Sequence, residues 1–244
     1  MKFKNNNAGL KFTLGFFYIL LIIIFIWFIF TKYELQELDG YNFIKSNNEI
    51  IENFKNNNFI LLFILFFLFI ILWIFLLGFG TPIGLISGYI FGKWIGALLA
   101  IISLSVGALI LYQFGKFFLY NFVKKKLYSK FFYLENKFKK NELVFMIIYR
   151  LLAIIPFPIA NILPILFNVK NKNYFLGTLI GITPAIFIQS SFGSGIGHII
   201  KYNDEFPGIF TMLSYRGIYL PIIAFFIIVI LGFIFKKKFN LESK

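Results

Sequence analysis

Hydrophobic residues in this chain come in long uninterrupted blocks, not at the spacing of one face of a soluble helix. No charge occurs within 12–30, 59–92 or 94–115, and each block exceeds the roughly 18 residues that mark a membrane-spanning candidate. Further, mainly apolar, segments follow at 143–169, 173–197 and 217–235. Lysines gather between the blocks. The pattern predicts an all-α polytopic membrane protein.

Two blocks do not read as plain spans. Residues 59–92 are too long for one helix and too short for two spans and a loop, and GFGTPIG at 78–84 interrupts them. Gly and Pro together allow a tight turn there. Residues 149–164, YRLLAIIPFPIANILP, hold Arg150, Pro156, Pro158, Asn161 and Pro164 within apolar surroundings. Each proline removes a backbone donor. A broken helix at membrane depth survives only where protein or a water-filled cavity surrounds it. Both stretches are therefore expected to be re-entrant hairpins, the second lining a polar site. The alternative for the second is a Pro-kinked span whose Arg150 snorkels to the interface.

Charge sets the expected topology. Residues 1–11 carry Lys2, Lys4 and Lys11, and no small-residue cleavage site follows 12–30, so that block is read as a retained helix. The polar loop 31–58 sets Lys32, Lys45 and Lys55 against Glu34, Glu37, Asp39, Glu49 and Glu52, which suits the external face; part of it is a candidate surface helix. Residues 116–142 carry eight lysines against Glu135 and Glu142, a cytoplasmic marker and a surface for anionic lipid headgroups. If every block spanned, this lysine block would fall outside. If 59–92 enters and leaves from outside, and 151–169 enters and leaves from inside, the block and both termini lie in the cytoplasm. Aligning Pro82 with Pro158 also pairs Ile83 with Ile159, Ile86 with Ile162 and Phe91 with Phe167. Two oppositely oriented hairpins, each followed by a transmembrane helix, form an inverted repeat, a recurrent transporter design. The expected organisation is 1–58 as first helix and external loop, 59–200 as core, and 201–244 as external loop, last helix and basic tail.

Composition narrows the chemistry. The chain is 59% hydrophobic with a formal charge of +14, which here reflects topology and not nucleic-acid binding. There is no cysteine and one histidine, so thiol chemistry is excluded and a His/Cys metal site is not expected. No cofactor is expected. SSFGSGIG at 190–197 lacks the strand and basic helix of a phosphate loop. No catalytic constellation is visible, so an enzyme is not expected.

The breaks and their flanks resemble the DedA superfamily, also called the VTT-domain or SNARE-associated Golgi protein family, over roughly 60–200, with bacterial relatives of the Golgi vesicle-trafficking branch looking most similar. The second hairpin carries the pattern in Arg150, Pro156, Phe157 and Asn161, although Ala153 stands where a proline is usual and Ile165 where a glycine is usual. Gly177, Thr178, Gly181, Pro184 and Gly193 match the following helix; Pro82, Gly84, Gly88, Phe91, Gly92 and Gly96 match the first hairpin. Gly115-Lys116 replaces the Gly-Arg common in the family, keeping charge but losing the bidentate fork. The resemblance implies two opposed re-entrant hairpins and a role in membrane lipid homeostasis, as scrambling of phospholipid, movement of a lipid-phosphate carrier, or ion-coupled transport.

Lipid translocation is the first expectation. Arg150 would attract a lipid phosphate and Asn161 would bond the headgroup or the broken backbone. Pro156, Pro158, Pro82, Gly84, Lys116 and Gln189 complete the candidate path. Arg150 paired with Glu142 or with hairpin carbonyls, merely fastening the break, is the competing reading. A proton- or ion-coupled solute transporter ranks second, since 59–115 and 143–200 contain no Asp or Glu. A scaffold recruiting partners through the lysine block ranks third. The expected location is the cell (inner) membrane, with membrane lipids as partners; self-association into a homo-oligomer is left open.

Overall fold

The computed structural model describes residues 40–118, 141–152, 155–202 and 209–224, with scattered residues inside 15–27, 120–135 and 226–230. The basic start, most of the lysine block, the tip of the 198–216 loop and the tail lie outside the described residues. The described residues are helical, without strands. Two helices, Gly80–Phe118 and Asn171–Lys201, are long and apolar enough to cross a membrane. A third joins them if the bent pair Asn48–Asn57 and Phe59–Phe75 counts as one broken span.

Helix α1 (Gly40–Asn57) falls within the polar loop, as expected for part of it, and its second half meets α2 (Phe59–Phe75) at 112°. Apolar residues cover α2 on all sides, and Ile60, Leu61, Ile64, Leu65, Leu68 and Leu72 stay exposed. A helix apolar all round has no polar face for water. The described part of the first apolar block packs here too: Tyr18 donates a 2.6 Å bond to the Phe75 carbonyl.

The chain turns at 76–79. Leu77 takes a positive φ of 65°, and the Gly78 amide bonds the Trp73 carbonyl at 2.8 Å. A Cβ on Gly78 would collide with the Trp73 indole, whose Nε1 donates to the Phe79 carbonyl at 2.9 Å. Helix α3 (Gly80–Phe118) follows, and it is two limbs: Gly92, at φ 78° and ψ 170°, breaks it. The inner limb 80–91 runs back along α2, so that Phe91 packs against Phe59, Phe63 and Phe66. The outer limb 93–118 reverses again. A Cβ on Gly96 would strike the Ser87 backbone, and Gly107 lies against Ile71 and Ile74 of α2.

A similar course follows in 141–202. Asn141 caps α4 (Glu142–Leu151), its side chain accepting from the Val144 amide at 3.2 Å. The chain breaks near Leu152–Pro156, then forms α5 (Phe157–Ile162) and a 3-10 turn (Leu163–Phe167). Asn168, at φ 53°, ends this second inner limb, and α6 (Asn171–Tyr202) begins. A short helix α7 (Ile209–Ser214) comes after.

The offset of 76 residues that pairs Pro82 with Pro158 also pairs Gly92 with Asn168. Both end an inner limb at a positive φ, a region where Gly is unstrained and Asn is enriched. Ile71 and Ile74 meet Gly107 in the first half; Ile147 and Arg150 meet Gly181 in the second. The inner limbs exchange partners. The first packs on α6, where Gly88 lies against Ser190 and Gly193 against Leu85. The second packs on the outer limb of α3, where Ile165 lies against Gly115 and the Tyr112 hydroxyl donates to the Val169 carbonyl at 2.6 Å.

Gly92 gives a test of the reversal. No atom lies within 4 Å of a Cβ built there, so any cost is conformational. Its φ/ψ combination is essentially reserved for glycine, and a residue forced into such a region costs about 1–3 kcal/mol. Gly92→Ala should lower the thermal unfolding midpoint of the detergent-solubilised protein by a few degrees without changing its elution volume.

Candidate functional site

Glycines on α6 create the site by letting its backbone touch α4. A Cβ on Gly177 would collide with Met146, and one on Gly181 with the Arg150 Cβ and the Ile147 carbonyl. The Arg150 side chain is thereby laid between the two helices and is 5% exposed. Its Nε donates to Thr178 Oγ1 at 3.2 Å and its Nη2 to the Tyr174 hydroxyl at 2.8 Å. Tyr174 passes the chain on, donating to the Asn161 carbonyl at 3.0 Å. Tyr149 makes a parallel link to the Ala160 carbonyl at 3.2 Å. These bonds tie α4, α5 and α6 together across the break, supplying partners for carbonyls beside it.

The guanidinium lies within 5.4–5.8 Å of the Tyr149, Phe157 and Tyr174 ring centroids. Ring faces attract a cation, yet no carboxylate pairs with Arg150 among the described residues. Glu142, the partner considered from sequence, accepts instead from the Lys170 amide at 3.1 Å and Asn173 Nδ2 at 2.7 Å. Arg150 and Glu142 stand two turns apart on α4, which is why one helix does not bring them together. Among the described residues Arg150 Nη1 has no partner, and neither does Oδ1 or Nδ2 of the fully buried Asn161. Buried polar groups are nearly always satisfied, and an unpaired one costs about 1–3 kcal/mol. These three atoms lie on α4 and α5, the elements that Tyr174 links through Arg150 and the Asn161 carbonyl.

Lys116 joins this cluster indirectly. Its Nζ lies 5.7 Å from the Tyr112 ring, and Tyr112 stacks on Tyr174 with centroids 4.3 Å apart. Pro156 and Pro158 open α5 as its N-cap and second residue, and Pro82 is the third residue of α3. Helix starts are positions where the missing N–H has no intrahelical partner to lose. Their role in the structure is to shape the limbs; none bonds to Arg150.

Gly84 and Gln189 form a second polar locus at the first inner limb. The Gly84 carbonyl accepts from Ser87 Oγ and Ser190 Oγ, each at 3.0 Å. Gln189 occupies the space a Cβ on Gly84 would take, and its Oε1 is unpartnered. The two loci adjoin through the limb starts, where Gly80 faces the Phe157 ring. Sequence reasoning did not single out Tyr174, Tyr112, Ser87 or Ser190 as site residues. The stripe Tyr174, Thr178, Gly181 at i, i+4 and i+7 was the available signal for the first of these.

Residues 78–195 match the family model of the VTT domain. The chain carries a VTT domain. The match contains both polar loci, both inner limbs and the glycines that seat them, and it bears out the DedA/VTT resemblance. The long apolar helices agree with a membrane protein of this family. All of α1 and α2 precede the matched VTT stretch. No solved structure matches the chain.

Proposed function

We propose that this VTT-domain protein moves phospholipid, or a lipid-phosphate carrier, between the leaflets of the cell membrane. The observation that carries the reading is Arg150, a buried guanidinium with an unpartnered Nη1 and no carboxylate beside it among the described residues. Guanidinium matches phosphate oxygens with paired donors, and an arginine at membrane depth is costly enough to read as functional. Asn161 adds a donor and an acceptor for the rest of a headgroup, while Gln189 extends the polar lining toward the first inner limb.

In this reading the helix–turn–helix units are oppositely directed re-entrant hairpins of an inverted repeat. Support comes from the shared 76-residue offset, the paired positive-φ reversals and the exchanged inner limbs. At about 1.5 Å per residue, the inner limb 80–91 reaches about 18 Å, short of a hydrocarbon core of about 30 Å. The lysines of 116–140 would sit on anionic headgroups in the cytoplasm with both termini.

The test is flipping of headgroup-labelled phospholipid in proteoliposomes at matched reconstitution. Wild type should exceed empty liposomes, and Arg150→Ala and Asn161→Ala should each reduce the rate by about tenfold or more, the scale of one lost charge-assisted or buried hydrogen bond. Rates unchanged by both substitutions would remove these residues from the path.

A further inference from the structure

The other end of α6 holds a second candidate site, formed where the polar helix α1 folds back over the Gly92 reversal. A cavity of about 270 Å³ there is lined by residues of α1, of the first inner limb and of α6. Lys55 enters from α1, its Nζ donating to the Ile90 carbonyl at 2.9 Å. Lys201 enters from α6 and pairs with Glu52 at 3.0 Å. The Tyr89 hydroxyl donates to Asn48 at 2.7 Å and closes one wall. Ile51, Ile90 and Phe91 supply apolar lining.

We infer that this cavity binds a phosphate group, with the phosphodiester of a lipid headgroup as its best-matched source. Among the described lining residues two ammonium groups face one carboxylate, Glu52, and this positive excess complements the negative charge of a phosphodiester. An ammonium carries three donors, so the bond from Lys55 to Ile90 leaves two to reach a ligand. The apolar wall lies beside the polar groups, as the junction of a headgroup and its chains requires. The cavity also sits where the chain changes from the wholly apolar α2 to the polar α1 through the 112° bend. A change from wholly apolar to polar helix is the pattern that suits a membrane interface. From Gly181, which touches Arg150, to Lys201 is 20 residues of α6, or about 30 Å at 1.5 Å per residue. The site is therefore separate from the Arg150 cluster and does not rest on the translocation reading.

Titration calorimetry on the full-length protein in an uncharged detergent tests it. The probes are dihexanoyl phosphatidylglycerol, inorganic phosphate and dihexanoylglycerol, which lacks phosphate. The phospholipid should bind and the diacylglycerol should not. Lys55→Gln and Lys201→Gln should each weaken binding by about tenfold, and Lys201→Arg, which keeps the charge, should retain it. Lys170→Gln, near the start of α6, should leave binding unchanged. Elution volume and helical circular dichroism establish that the variants are folded. Binding of inorganic phosphate alone, with the same lysine dependence, would support the phosphate site and assign it to a free anion. Equal binding of diacylglycerol, no binding of either phosphate probe, or an equal loss in Lys170→Gln would overturn the site.

Discussion

Gly88→Val should leave almost no folded protein. A Cβ on Gly88 would fall on the Ser190 main chain, and about one turn away on the same pair of helices a Cβ on Gly193 would fall on the Leu85 carbonyl. A flexible side chain can swing aside, but here the obstacle is backbone on both faces. Overpacking in a tight core costs about 1–3 kcal/mol where neighbours can adjust, and more where they cannot. Separating the first inner limb from α6 would also break the Ser190–Gly84 bond and leave Ser87 and Ser190 without their buried contact. Size-exclusion chromatography in detergent should show aggregate in place of a single peak. By contrast Gly92→Ala, strained but uncrowded, should elute normally. If Gly88→Val elutes as wild type, the helices are not in backbone contact.

Arg150→Met should separate folding from function. Methionine fills similar volume and removes an unpaired buried cation. Exchanging buried charged groups for apolar ones of similar volume is often neutral or stabilising. The groups left behind have other partners: Tyr174 still donates to the Asn161 carbonyl, and Thr178 can turn to a carbonyl of its own helix. The unfolding midpoint should therefore be unchanged or raised, while lipid flipping falls to the liposome background. Arg150→Lys keeps the charge without the planar fork and should give an intermediate rate. If the midpoint and the flipping rate of Arg150→Met fall together, Arg150 is a fastener between α4 and α6, the competing reading of the sequence.

Helix breaks were the most legible part of this protein. GFGTPIG, the Gly92-Lys93 boundary and the Pro-rich 156–164 run each coincide with a turn, a reversal or a limb start, because Gly and Pro act on their own backbone and need no distant partner. Arg150 and Asn161 were legible as anomalies for the same reason: a cation and an amide stand out in apolar surroundings. Their partners were not legible. Tyr174 and Thr178 are 24 and 28 residues from Arg150 in sequence, and their stripe with Gly181 marks a helix face without naming the side chain that meets it. The Ser87–Ser190 contact is harder still, with 103 residues between the two hydroxyls. Glu142 was the nearest acid to Arg150 along the chain, but the two turns between them hold the pair about 12 Å apart along the helix axis.

The exchange of inner limbs has a consequence for how the chain is made. The small-residue face of limb 80–91 is completed by Ser190, which is 106 residues beyond the Gly84 carbonyl it bonds. At roughly 5–20 residues per second of synthesis, that face waits on the order of 5–20 s for its cover. During this interval the limb carries an unfinished glycine groove. Nascent chains stalled before α6 are thus the form in which a membrane chaperone or protease would meet this protein. Closure of that groove depends on α6 packing over a segment made much earlier.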